Sequence, residues 1–133
     1  NRDLKMLCAN PDVMVDRGDK RIYCAGALAQ AYTDIGGEVH FFGKPHPPIY
    51  DLAYQRIIDI TGREIAPKKI IGIGDGIYTD IQGAIGEDMD SLFITGGLAA
   101  AATETDGQPD ADALKKFLAK ARLTPTYSTG HLR

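Results

Sequence analysis

Residues 68–88 read "KKIIGIGDGIYTDIQGAIGED", Lys68 to Asp88. An apolar run ends in a glycine-flanked Asp75, and a second acid, Asp80, follows where helical spacing begins. The run "KKIIGIGD" does not alternate, which predicts a strand buried on both faces, as in a parallel sheet. "TDIQGAIGED" then predicts a short helix with Ile81, Ala84 and Ile85 turned inward.

Working outward, "SLFITGG", Ser91 to Gly97, predicts another buried strand, and "AAAATETDGQ" a loop of small and polar residues. Asp110 caps a last helix with Leu114, Phe117, Leu118 and Ala121 inward. "TPTYSTGHLR" reads as an irregular tail. Upstream, "EVHFFG" is a strand. "KPHPPIYDLAYQRIIDITG" is a helix whose prolines sit in or before its first turn, where a missing N–H costs little. Its inward face is expected at Ile49, Ala53, Ile57 and Ile60, and Gly62 ends it. Ala25, Leu28, Ala29, Tyr32 and Ile35 follow helical spacing, stopped by Gly36-Gly37. "LKMLCA" is a short strand, and "NPDVMVDRGDKR" a loop in which Arg17-Gly18-Asp19 is a plain turn. From Glu38 onward the order is strand, helix, strand, helix, strand, helix: α/β with a parallel sheet.

The 133 residues suffice for one domain with a real core. At 44% hydrophobic and 25% charged residues, the chain is globular and not disordered. A net charge of −3 gives no electrostatic case for nucleic acid or an anionic membrane. No apolar stretch approaches the ~20 residues that span a bilayer, and no signal peptide is evident. Cys8 and Cys24 allow one disulfide at most; reduced, buried thiols in a reducing, cytoplasmic setting are the expectation. His40 and His46 stand too far from either cysteine in sequence to suggest a zinc cluster. The start, "NRDLKML", lacks an initiator Met and enters mid-pattern, as a fragment or a trimmed terminus would.

In open parallel sheets, chemistry sits beyond the carboxyl ends of the strands. Asp75 stands at one such end, Lys44 beyond another in "FFGKP", and Gly96-Gly97 beyond a third. Two carboxylates there are hard oxygen ligands suited to Mg²⁺, which keeps several waters and a substrate phosphate. Lys44 then meets a phosphate as a point charge, and the Thr79 hydroxyl caps the helix begun by Asp80. Taken singly, Asp75 reads as a turn residue, Asp80 as a carboxylate favoured by the helix dipole, and Lys44 as a solvated lysine. Their joint order on one rim favours the functional reading. A dinucleotide fingerprint fails because Ile77 sits where the last glycine is needed, and no P-loop is present.

"GKPHPPIY", then "IGIGDGIYTDIQGA", then "SLFITGG", resembles the C-terminal half of a haloacid-dehalogenase-like (HAD) phosphatase. The upstream "CANPD" and "CAGALAQAY" resemble the end of the cap in subclass IIA, the nitrophenylphosphatase-like and sugar-phosphatase-like group. The resemblance covers Leu4 to Leu98. It implies the C-terminal half of a Rossmann-like parallel-sheet core at residues 44–133, preceded by the last part of an α/β cap at residues 1–43. Lys44 matches the lysine that steadies the phosphate, Asp75 the acid that binds Mg²⁺, and Asp80 the second acid, supporting the metal site or the lysine. Asn10 and Asp12 match a substrate-side cap loop. The implied activity is Mg²⁺-dependent hydrolysis of a small phosphorylated metabolite, a sugar phosphate among the candidates, through an aspartyl-phosphate.

The family's nucleophile belongs to a "D-x-D-G" after an apolar strand, and none is found here. The resemblance therefore implies half an enzyme, inactive alone and completed by the missing N-terminal half of the same protein, with a homo-oligomer left open. A cut sample or a sequence lacking its N-terminal half is expected ahead of a genuine short chain, which would need a partner for its half-sheet. The alternative is a non-enzymatic α/β module that binds phosphate or Mg²⁺ and works through a partner chain.

Overall fold

The computed structural model describes residues 4–132. The order is β1 (Lys5–Cys8), β2 (Met14–Arg17), β3 (Lys20–Tyr23), α1 (Ala25–Asp34), β4 (Glu38–Phe41), α2 (Pro47–Thr61), β5 (Ile71–Gly74), α3 (Gln82–Gly86), β6 (Asp90–Ile94), α4 (Ala111–Ala121) and β7 (Tyr127–Thr129). β1 and β4 pair in parallel, Met6 beside Val39 and Cys8 beside Phe41. β5, β6 and β7 form a second parallel sheet in that order. The fold is α/β with parallel strands, as the alternating elements imply.

Two segments differ from the sequence expectation. Asn10–Arg21 contains most of an antiparallel hairpin, β2 with β3, turning at Gly18-Asp19, where Gly18 takes a φ of +60°. Its strands are four residues each and β3 is exposed throughout, so no inward apolar pattern marked them. The tail is also ordered: β7 pairs with β6, Leu92 beside Tyr127 and Ile94 beside Thr129. Ser91 and Thr126 align it reciprocally. Ser91 N–H donates to Thr126 Oγ1 at 3.1 Å, and Thr126 N–H to Ser91 Oγ at 3.0 Å. Hydroxyl pairing does here what apolar alternation does in a half-buried strand.

The core of the second sheet gathers Ile77, Ile81, Phe93 and Ala99, covered by Leu114, Phe117, Leu118 and Ala121 of α4. The α4 stripe is the one its spacing predicts, and Asp110 caps it by accepting from the N–H groups of Asp112 and Ala113. Phe93 stacks on Phe117 with centroids 5.8 Å apart. α2 turns Tyr50, Tyr54, Ile57 and Ile58 inward, all half-buried, and leaves Ile49, Ala53 and Ile60 exposed. β5 is also not buried on both faces: Ile71 and Ile73 are 45% and 48% exposed. Its other face is glycine because α3 and the loop lie too close for side chains; a methyl at Gly72 would stand 2.7 Å from Ala84 Cβ. Cys8 is buried and Cys24 half-buried, both free thiols. Among the described residues, no helix is long and apolar enough to cross a membrane.

Candidate active site

The strand ends of β4 and β5 carry the charged residues. Gly43 follows β4, packed so closely under Ala9 and Pro11 that a methyl there would lie 2.4 Å from the Ala9 carbonyl oxygen. Lys44 comes next and extends to Asp80, with Nζ on Oδ1. The Asp80 side chain is 11% exposed and the Lys44 side chain 50% exposed, so the acid is rooted in protein and the lysine partly meets solvent. The other Asp80 oxygen, Oδ2, accepts the Gly76 N–H at 3.0 Å. Gly74 has no alternative residue at this spot: a Cβ there would lie 2.1 Å from Asp80 Cγ. Glycine thus lets the β5 backbone press against the carboxylate.

Asp75 follows Gly74. Its Oδ2 accepts the Leu98 N–H at 3.1 Å, tying the end of β5 to the loop after β6. A methyl at Gly97 would stand 2.1 Å from the same oxygen, which accounts for glycine there. Among the described residues, Asp75 Oδ1 accepts no hydrogen bond. Residues 77–81 form a π-helical turn that runs into α3. No side chain caps that start, so Thr79 does not serve as the cap the sequence suggests; its hydroxyl packs on Gly76 instead, where a Cβ would lie 2.1 Å from Oγ1.

A cavity of about 500 Å³ opens beside Asp75, Gly76 and Thr79. Asp12 lines it as well, so Asp75 and Asp12 share one space. Asn10 does not line it. Its Oδ1 accepts the Asp12 N–H at 3.1 Å and its amide donates to Cys24 Sγ at 3.2 Å, so it shapes the loop that presents Asp12. Arg21, His46 and Tyr78 also line the cavity and were not singled out from sequence as site residues. His46 stacks on Phe41 with centroids 4.9 Å apart. Only its place two residues beyond Lys44 hinted at a role.

Tyr50, on the first turn of α2, is a further neighbour. Its oxygen lies so near Gly83 that a Cβ there would approach to 1.8 Å. Burial, reinforced by the charges of Asp80 and Glu87 and by Tyr54, pushes its phenol up to about 12.

Metal chemistry is tested by the donors present. No group of three or more His, Cys, Asp or Glu side chains converges among the described residues. Asp75 and Asp12 are the carboxylates that line the cavity, and Asp75 Oδ1 is an open hard oxygen there. That suits Mg²⁺, which binds through one or two carboxylates and fills its shell with waters and phosphate oxygens, and it suits Zn²⁺ poorly.

Comparison with known proteins bears on the family and the fold. A family model described as HAD-hydrolase-like matches residues 41–121. A crystal structure of a haloacid-dehalogenase-like hydrolase from Brucella suis is similar over 99% of this chain, with 40% identity and a TM-score of 0.77. This chain spans 45% of that one. A possible sugar phosphatase of the HAD superfamily from Cytophaga hutchinsonii shares the fold at 20% identity and a TM-score of 0.73, over 99% of this chain and 44% of its own. A p-nitrophenyl phosphatase from Archaeoglobus fulgidus does so at 22% and 0.65, over 96% and 43%. These are the folds that the subclass IIA resemblance implies. No curated protein matches the chain. With the match covering well over half of its residues, the chain belongs to the haloacid-dehalogenase-like hydrolases.

Proposed function

We propose that this chain supplies the electrostatic half of a Mg²⁺-dependent phosphomonoester hydrolase. The observation that carries the reading is the pairing of Lys44 with Asp80 next to a separately anchored Asp75 on the cavity wall. Asp80 holds the lysine ammonium at the rim, leaving its remaining N–H donors for phosphate oxygens. Asp75, fixed by Leu98 N–H through one oxygen, has the other for a metal ion. Magnesium, when bound, would neutralise charge on the phosphate. Asp12, presented by Asn10, faces the substrate from the cap side.

The carboxylate that attacks phosphorus, forming an aspartyl-phosphate that water then hydrolyses, comes from outside this chain. β5 supports completion by another segment: among the described residues it is bonded to β6 alone, and Ile71 and Ile73 lie open on one face. The companion is the N-terminal half of the same protein, and the substrate a small phosphorylated metabolite. Hydrolysis of p-nitrophenyl phosphate by the complete enzyme, titrated with Mg²⁺, tests the reading. Metal-dependent turnover that collapses in Lys44→Ala is the expected result, and metal-independent turnover or an indifferent Lys44→Ala overturns it.

A further inference from the structure

Beyond β6 the chain turns repeatedly, and Asp75 leans on this loop through the Leu98 N–H. A carboxylate that offers Oδ1 to a metal needs its other oxygen held still, so whatever holds Leu98 bears on the site. Gly97 and Ala100 close a turn around it, the Ala100 N–H donating to the Gly97 carbonyl at 3.1 Å. Thr103 grips the next carbonyl, that of Ala99, twice: its N–H and its hydroxyl each donate at 2.9 Å. Thr103 Oγ1 also meets Thr105 Oγ1 at 2.7 Å. Thr105 Oγ1 donates to Thr95 Oγ1 at 2.9 Å, and Thr95 Oγ1 to the Thr129 carbonyl at 3.3 Å. The hydroxyls run from the turn that carries Leu98 back to the end of β6 and across to β7.

Thr95 and Thr103 are fully buried. Buried hydroxyls are costly unless paired, and a paired network fixes one geometry where apolar side chains would allow several. Glu104, between two of these threonines, takes a φ of +48°, a strained value that persists only where the surroundings over-determine it. The loop is therefore held more firmly than a link from β6 to α4 requires. Resting on the phosphatase reading, we infer that Thr103 is a positioning residue for the metal-binding carboxylate: through the Ala99 carbonyl and Thr105 it keeps the Leu98 N–H on Asp75 Oδ2, and so leaves Oδ1 for the ion. Thr103→Val keeps the shape of the side chain and removes its hydroxyl. The Ala99 carbonyl then retains one of its two donors from Thr103, so the turn loosens without coming apart.

The test uses the complete enzyme and two readouts that need no turnover: hydrogen exchange of the Leu98 amide, taken relative to the Phe93 amide of β6 in the same sample, and Mg²⁺ binding by calorimetry. Thr103→Val should speed the relative exchange of Leu98 about tenfold, the scale of one lost hydrogen bond. It should weaken Mg²⁺ binding about three- to tenfold, less than the ~10–100-fold for a group that touches the ligand directly. Thr103→Ser should restore both. Thr126→Val, which breaks the hydroxyl pairing of Ser91 with Thr126 between β6 and β7, is the control for lost stability and should change neither. Thr105→Val, at a half-buried position, should act like Thr103→Val and stands in for it if that variant does not fold. Unchanged Leu98 exchange, a loosened Leu98 with wild-type Mg²⁺ binding, or the same response in Thr126→Val overturns the inference. If the wild type binds no Mg²⁺, the metal reading of Asp75 fails by itself, and Leu98 exchange then decides the clamp alone: faster exchange in Thr103→Val and not in Thr126→Val sustains it, and equal exchange overturns it.

Discussion

Lys44 and Asp80 stand 36 positions apart in sequence and meet as an ion pair that joins the end of β4 to the turn before α3. The acid is the buried partner and is also held by Gly76 N–H, so it is the fixed end of the pair. In the complete enzyme, Lys44→Ala should cost about 3 kcal/mol of transition-state stabilisation, the scale of one preorganised charge contact. Lys44→Arg should not restore it, because a fork does not reproduce a compact ammonium. If Asp80 acts by holding Lys44, Asp80→Asn in a Lys44→Ala background should cost much less than alone, with a coupling of about 1–3 kcal/mol. Additive losses in kcat/KM would show that the two act separately.

Asp75 should behave differently. Asp75→Asn keeps the oxygen that accepts from Leu98 N–H but removes charge from the metal's side. Weaker Mg²⁺ activation is expected, with turnover partly recovered at high Mg²⁺, whereas Asp80→Asn should lower turnover with a smaller change in the Mg²⁺ requirement. Losses for groups that act through a neighbour are typically ~10–100-fold. Magnesium titrations of activity beside thermal melts separate the two. A wild-type titration for Asp75→Asn would make it a turn residue.

How much of this was legible in the sequence follows from the range of each signal. Glycines at 74 and 76 and the acids Asp75 and Asp80 lie within one short stretch, and each of these glycines answers a close approach of the Asp80 or Thr79 side chain. The capped α4 was equally readable, since Asp110 and its apolar stripe lie within one helix. The hairpin and β7 were not. β7 depends on partners such as Thr126 with Ser91, 35 residues away, and the hairpin, though local, has four-residue strands of which β3 is exposed throughout, so neither shows an inward apolar period. Arg21 and Tyr50 escaped for a related reason: one reaches the site on that hairpin, the other through a helix face that aliphatic spacing misassigned.

Gly97 provides a test of the anchoring of Asp75. An added methyl would meet Asp75 Oδ2 at 2.1 Å and its Cβ at 2.6 Å, so the carboxylate must swing away from Leu98 N–H. Gly97→Ala should cost about 1–3 kcal/mol of stability, as overpacking does. It should also raise the Mg²⁺ concentration needed for half-maximal activity. Gly107, with open space around its Cα but a φ of +76°, is the control: Gly107→Ala should strain the backbone and leave the Mg²⁺ requirement alone. The same Mg²⁺ response in both variants would show that the effect at 97 is mere destabilisation.

The last prediction concerns Tyr50 and high pH. Its phenol is pushed from 10.0 to about 12, first by burial and then by the negative charges of Asp80 and Glu87 and by Tyr54. Ionising it in the fold means placing a phenolate beside acids in a partly desolvated spot, while the unfolded chain ionises it at the ordinary value. Between those two values the folded state therefore holds more protons than the unfolded one. Linkage then makes stability fall as pH rises: the contribution is complete below pH 10 and is lost as pH climbs through about 12. Tyr50→Phe keeps the ring against Gly83 and removes the ionisable group. Its melting temperature should decline less steeply than that of the wild type across this interval, and the two slopes should agree below it. The near-ultraviolet phenolate difference spectrum, wild type minus Tyr50→Phe, should show the corresponding late titration. Parallel melting curves through the whole interval, or a difference spectrum that titrates near 10, would mean that Tyr50 stands in solvent and does not feel the carboxylate that holds Lys44.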